Sequence, residues 1–351
     1  MPDRQRQNLR GPVSSCTEWS TYSTTTDAEG VTQNIHLQST TKYDAAGRVL
    51  SRSNRQLAGS DWVTRDTYDP SGRLLNTASG IDGQPMTETV YSYNHQGRLQ
   101  SIVNGAKPDS PITFHYDEMG RKTKIEISRP EDYRPNVASG GGPFAAADRA
   151  PNLLGGGTAI TTYDAQDRPT EVQVRDSNGD LMNRAVRIYD EQGNVTEERQ
   201  ILDYPERMFP PETRAKMLEE SGLSADRLDQ ELRMGITKLM GGHTGPFSVT
   251  YSYDTQGRLS LLRRRIFNEE QEIETTYNER GDVASEITQR KPLASESDST
   301  APSLLPPYSE ACYSYKYDDH GNWVEQSVTY RSSPDGEFQP PTVTARTLTY
   351  Y

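Results

Sequence analysis

Nine times along the chain a tyrosine is followed by aspartate or asparagine, two variable residues, a glycine (once an aspartate) and a polar residue. The copies begin at Tyr43, Tyr68, Tyr93, Tyr116, Tyr163, Tyr189, Tyr253, Tyr277 and Tyr317. They read YDAAGR, YDPSGR, YNHQGR, YDEMGR, YDAQDR, YDEQGN, YDTQGR, YNERGD and YDDHGN. Successive tyrosines are 25, 25, 23, 47, 26, 64, 24 and 40 residues apart, a period of two strands with three insertions. A unit that small cannot bury a face alone, so the chain must stack its units against one another.

Each residue type in the motif has a local task. Asp44, Asp69, Asn94, Asp117, Asp164, Asp190, Asp254, Asn278 and Asp318 can accept backbone N–H groups a few residues ahead. Gly47, Gly72, Gly97, Gly120, Gly193, Gly257, Gly281 and Gly321 supply the left-handed backbone that closes a short hairpin. Asp167 takes the glycine's place once, and Asn194, Asp282 and Asn322 replace the arginine. The flanking runs are rich in Val, Ile, Thr and Tyr and read as strands. Looser turns at 27–30, 58–61, 82–83, 104–105, 178–179, 268–270 and 334–336 alternate with the motif. In an up-and-down meander the two kinds of turn fall on opposite rims. The predicted fold is therefore all-β: an antiparallel up-and-down β-hairpin repeat array, a curved sheet or spiral, with one inserted helical hairpin. Its end strands, near 17–23 and 344–350, are expected to be open edges available for self-association.

The array is predicted to span 15–351 after a flexible segment at 1–14, with all three insertions on the rim of the looser turns. Insertions at 129–158 and 290–309 have the Gly/Pro and Ser/Pro composition of flexible loops. The third, at 201–246, places Leu228, Leu232, Ile236 and Leu239 at helical spacing after a capping Ser224. That stripe either covers the sheet or forms a partner-facing helix surface.

The totals narrow the partners. Hydrophobic residues are 32% of the chain, against about 45–50% counted with Gly in ordinary domains, so the folded body must be thin. A net charge of −12 opposes docking on nucleic acid or an anionic membrane, and the basic run at 263–265 reads as a solvated strand face. No apolar run is long enough for a membrane helix, so no membrane insertion is expected. The polar first ten residues carry no export signal, leaving open a removed leader or a cytoplasmic location. Cys16 and Cys312 are either two unpaired thiols or one bridge joining the ends of a curled array.

Catalytic patterns are missing. His36, His95, His115, His243 and His320 are scattered, with no metal-ligand spacing, and the run from Asp176 to Asp180 reads as a hairpin turn rather than a calcium loop. There is no nucleophile elbow, phosphate loop or dinucleotide fingerprint. No catalytic residue, metal or cofactor is expected. The repeated tyrosines are predicted to form a ladder on one face, each ring covering its neighbour.

With nine copies in register, the pattern over about 15–351 resembles the Rhs or YD-repeat family, which includes rearrangement-hotspot proteins, toxin-complex shells and teneurins. The resemblance implies a spiral of β-hairpins, closed in some members into a hollow shell. The function expected is a non-enzymatic scaffold or binding module, secreted or in the cell envelope, presenting its β surface and loop-decorated rim to a protein or glycan. The alternatives are a shell component of a toxin-delivery system with separately encoded cargo and, from another class, a carbohydrate-processing enzyme.

Overall fold

The computed structural model describes residues 3–26, 32–55, 59–128, 157–209, 211–239, 247–266, 269–292 and 306–351. A short helix, α1 (Asp3–Arg6), precedes twenty strands. The first five are β1 (Val13–Thr26), β2 (Thr32–Tyr43), β3 (Val49–Arg55), β4 (Asp61–Tyr68) and β5 (Leu74–Ile81). Then come β6 (Thr87–Tyr93), β7 (Leu99–Asn104), β8 (Lys107–Tyr116), β9 (Lys122–Ile127) and β10 (Gly157–Tyr163). The third quarter holds β11 (Pro169–Arg175), β12 (Leu181–Tyr189), β13 (Val195–Ile201), β14 (Phe247–Tyr253) and β15 (Leu259–Ile266). The last are β16 (Glu269–Tyr277), β17 (Val283–Pro292), β18 (Tyr308–Tyr317), β19 (Trp323–Arg331) and β20 (Thr342–Tyr350).

Every strand pairs antiparallel with its sequence neighbours, and β20 pairs back onto β1 through Val13↔Tyr350, Cys16↔Leu348 and Ser20↔Thr344. The sheet is a closed barrel of twenty strands. This corrects the predicted open array or spiral, and the segments expected to be open edges pair with each other instead. Closure satisfies two rows of backbone groups that an open sheet would leave to water. Side chains reinforce it: Arg346 donates to Glu18 at 2.7 Å, and Thr349 bonds the hydroxyls of Ser14 and Ser15. Both cysteines are free thiols although the ends meet, because Cys16 faces β2 and β20 while Cys312 faces β17 and β19.

The wall is one sheet thick. Along β6, Thr89, Tyr91 and Tyr93 are half-buried while Val90 on the other face is 45% exposed. Fully buried residues at alternate positions occur in β9 to β11, where Ile125, Ile127, Ala159, Val172 and Val174 cluster with Phe114, Met182 and Ala185. A second cluster sits at the seam: Leu9, Val13, Cys16, Tyr43 and Val49. Twenty strands spaced about 4.8 Å apart give a perimeter near 95 Å, so side chains do not fill the ring as they fill barrels of about eight strands.

Between β13 and β14 the chain forms a 3-10 turn (Pro205–Met208) and two helices, α2 (Pro211–Ser221) and α3 (Ala225–Leu239). They dock on the start of β12. Arg207 donates to the Leu181 carbonyl at 3.1 Å, and Arg233 on α3 donates to the buried Glu206 at 2.9 Å. Leu228 is buried, and Leu232 and Ile236 are half-buried. The Leu239 side chain lies outside the described residues. The loops predicted at 129–158 and 290–309 lie mostly outside them too; β10 begins within the first, and β17 and β18 extend into the second.

Candidate functional site: the Tyr-Asp rim and its seam

All nine motif turns adopt one geometry. The first residue after the tyrosine donates its backbone N–H to the carbonyl four positions on and accepts that residue's N–H on its side-chain oxygen, at 2.8 to 3.0 Å in every copy. In five turns the arginine Nε also donates to the same carboxylate, as Arg168 does to Asp164 at 2.7 Å. The eight glycines have φ between +75° and +91°, and Asp167 reaches +61°. A one-residue bulge beside each turn, such as that between Lys42 and Tyr43, shifts the register; bulges of this kind sharpen local twist.

The tyrosines and arginines link one turn to the next. From Tyr68 to Tyr277, seven motif tyrosines donate their hydroxyl to a carbonyl just past the preceding turn: Tyr68 to Val49, Tyr93 to Leu74, Tyr116 to Leu99, Tyr163 to Lys122, Tyr189 to Pro169, Tyr253 to Val195 and Tyr277 to Leu259, at 2.6 to 2.8 Å. Arginine completes the link. Arg48, Arg73, Arg98, Arg121, Arg168 and Arg258 each lie over the tyrosine ring of the following turn, 4.5 to 5.7 Å from its centroid. The predicted ladder thus has a guanidinium, not a second ring, against each of these tyrosines. The incoming arginine crowds some of these glycines as well: a Cβ on Gly72 would sit 2.8 Å from Arg48 Nη1, and one on Gly120 only 2.2 Å from Arg98 Nη2, whereas positive φ is common to all eight. Where Asp167 stands instead, Arg121 forms an ion pair with it at 2.8 Å.

Burial pushes Tyr68, Tyr93, Tyr116 and Tyr163 above the ordinary phenol value, so each remains a hydroxyl donor at neutral pH. Arg168→Gln, which removes one cation from a ring 4.6 Å away, is expected to cost about 0.5–1 kcal/mol. The midpoint of denaturant unfolding checks it.

The ladder changes character at its last steps. Asn194 leaves Tyr253 without an arginine from the preceding turn. In the eighth turn Asp282 replaces the arginine and accepts from the Tyr317 hydroxyl at 2.7 Å, while Tyr315 takes the Val283 carbonyl at 2.8 Å. Arg280, from inside that turn, lies over the Tyr317 ring at 4.4 Å. In the ninth, Asn322 replaces the arginine; its amide donates to the Arg10 carbonyl and accepts the Arg10 N–H. His320 stacks on Tyr350 at 4.0 Å, and the Tyr350 hydroxyl donates to Asp318. The segment before β1 runs from this turn to the first one: Arg4 donates its N–H to the Gly47 carbonyl, Asp3 accepts from Val49, and Gln7 accepts from the Tyr43 hydroxyl. The Tyr351 hydroxyl donates to the Tyr43 carbonyl.

This seam encloses a cleft of about 540 Å³ lined by Arg4, Gln5, Asn8, Leu9, Arg10, Gly11, Arg280, Gly281, Asp282, Gly321 and Trp323. It contains three guanidinium groups and one carboxylate. The position a Cβ would take on Gly321 is 2.9 Å from Arg10 Nη1 and 3.5 Å from Arg280 Nη1. Two cations therefore meet at this turn. None of Arg4, Arg10 and Arg280 has a carboxylate within ion-pair distance among the described residues. The sequence signal for the cleft was the loss of the motif arginine in two consecutive turns, at Asp282 and Asn322.

The other candidates stay apart. His95 is an exposed turn residue, His115 lies 3.4 Å from Glu126 across the β8–β9 pair, and the side chains of His36 and His243 lie outside the described residues. Among the described residues no group of His, Cys, Asp and Glu could hold a metal ion. Asp176 accepts the N–H groups of Asn178 and Asp180 at 2.9 Å in a hairpin turn. Burial raises the Cys16 thiol above its ordinary value, which makes it a poor nucleophile. No described helix is long and apolar enough to cross a membrane.

No family model matches the chain, and no curated protein matches it. Similar solved structures include a porin-like protein from Bacteroides uniformis, 11% identical over 97% of this chain and 99% of that one, with a TM-score of 0.36. Another is TcdB2-TccC3-TEV, 13% identical over 90% of this chain and 16% of that one, with a TM-score of 0.35.

Proposed function

We propose that this chain is a non-enzymatic binding scaffold of the cell envelope or exterior, a hairpin-built ring whose insertion-bearing rim engages a protein or glycan. The observation that carries the reading is how the repeated groups are used. The aspartates of the motif close their own turns, seven tyrosine hydroxyls go to backbone carbonyls, and the arginines cover the next ring. Groups consumed in wall construction are not poised for acid, base or nucleophile chemistry. The helix pair, in contrast, presents Met234 at 52% exposure on the rim opposite the motif turns.

Deletion of α2, α3 and the insertions at 129–156 and 293–305 is expected to abolish binding on a glycan array or to a purified partner while the barrel remains folded. Identical binding by the trimmed and full chains would remove the rim from the reading. Ring closure supports a second reading, a shell component that holds a separately encoded cargo, because a wall one sheet thick leaves its inner face available. Co-purification of such a cargo that survives the same deletion distinguishes the two.

A further inference from the structure

We propose that the seam cleft is a binding site for a small ligand carrying a phosphate or carboxylate group, gripped between Arg10 and Arg280 with Arg4 on the same cleft wall. The site is on the motif rim and does not depend on the insertion-bearing rim.

Charge is the first argument. The protein is strongly acidic, and in five other turns the arginine is neutralised by the carboxylate at the start of its own turn. The eighth turn inverts that arrangement. Asn278 is neutral, and the Asp282 carboxylate accepts a hydrogen bond from Tyr317 instead of pairing with Arg280, so Arg280 makes no ion pair within its own turn. The N-terminal segment then adds Arg10, whose Nη2 donates to the Arg280 carbonyl at 3.1 Å. The two Nη1 atoms are no farther apart than the sum of their distances to the Cβ point of Gly321. Like charges at such separation repel unless an anion sits between them.

Fixed geometry is the second argument. Arg280 is held over Tyr317, and Arg10 is pinned by its backbone bonds to Asn322 and its side-chain bond to the eighth turn. Guanidinium groups fixed in advance lose little freedom on binding and suit bidentate recognition of planar or tetrahedral oxyanions. The absence of a side chain at Gly321 lets both guanidinium groups approach the ninth turn. The cleft volume matches small-molecule sites, and although the Asp282 carboxylate opposes an anion, three guanidinium groups against one carboxylate leave the lining net positive.

Calorimetric titration of the full chain with inorganic phosphate, pyrophosphate and citrate tests the site, with sodium chloride at matched ionic strength as the control. Saturable one-to-one binding of at least one polyvalent oxyanion is expected, weakened about 10- to 100-fold in Arg280→Gln and lost in the Arg10→Gln/Arg280→Gln pair. Arg168→Gln, on the same rim but paired with Asp164, is expected to bind as the unaltered protein does. Should Arg10→Gln disturb the seam, visible as a changed circular dichroism spectrum, Arg280→Gln with Arg4→Gln carries the test alone. Absence of saturable binding, or equal affinity in Arg280→Gln and Arg168→Gln, overturns the proposal. Deleting α2 and α3 is expected to leave oxyanion affinity unchanged, so failure of the scaffold reading and failure of this site are read separately.

Discussion

Tyr43→Ala is expected to destabilise the protein by about 3–5 kcal/mol, the range for truncating a large buried ring, and clearly more than Tyr93→Ala. Both tyrosines open the same motif, but their surroundings differ. Tyr43 is 1% exposed among Leu9, Val13, Cys16 and Val49, its hydroxyl donates to Gln7, and its carbonyl accepts the Tyr351 hydroxyl. Burial drives its phenol up to about 12. Tyr93 is half-buried and holds only its neighbouring turn. In an open array each loss would be local and the two variants would be alike. In a closed ring, loosening the seam exposes β1 and β20 as unpaired edges, so Tyr43→Ala is also expected to self-associate with rising concentration. Urea unfolding followed by light scattering measures both effects; equal destabilisation by the two variants would contradict a seam that bears more than an ordinary turn.

The turns were legible because their causes lie within six residues. An acceptor at Asp69, a glycine at Gly72 and an arginine at Arg73 specify a hairpin without reference to the rest of the chain. The helix boundaries are local in the same sense: Gly222 leaves α2 at φ +65°, and Ser224 accepts the Arg227 N–H ahead of α3. Closure has no such signature. Pairing Val13 with Tyr350 joins residues more than three hundred positions apart, and the alternation of polar and β-branched residues in β1 and β20 is the same as in any internal strand. An edge strand and a seam strand are identical in sequence until their partner is known.

The candidate cleft was hidden for a related reason. Within their own turns Asp282 and Asn322 are only variants of the motif's last polar position. Their consequence appears only when the ladder is followed from turn to turn, since an arginine acts on the tyrosine of the next unit rather than on its own. Removing it from two successive turns frees Tyr317 and Tyr350 to meet Asp282 and Asp318, and makes room for Arg10. Leu9, the one apolar residue between Asp3 and Gly11, is 4% exposed and anchors the lead-in segment on the rim.

Acid is expected to unfold the barrel steeply below about pH 4, with stability lost as pH falls. Asp44, Asp69, Asp117, Asp164, Asp190, Asp254 and Asp318 all titrate below the ordinary aspartate value of 3.8. At Asp69 and Asp254 the largest cause is the backbone N–H of Arg73 and Arg258; at Asp117 and Asp190 it is the side chain of Arg121 and Asn194. At Asp44, Asp164 and Asp318 burial pulls upward and the combined hydrogen bonds outweigh it. A depressed folded-state value means that the unfolded chain binds protons first. The stabilisation is therefore complete above the ordinary value and disappears as pH falls through the folded one. Asp66, raised by burial, opposes this with a single group. Because many of the contacts are short bonds to N–H groups, added salt is expected to shift the acid midpoint little. Asn94 and Asn278 close their turns with a neutral amide. Asp190→Asn should accordingly keep the fold and reduce the slope of stability against pH, by at most one proton. Chemical denaturation at a series of pH values reads that slope, and a flat profile between about pH 5 and pH 2 would show that the turn carboxylates do not hold the rim.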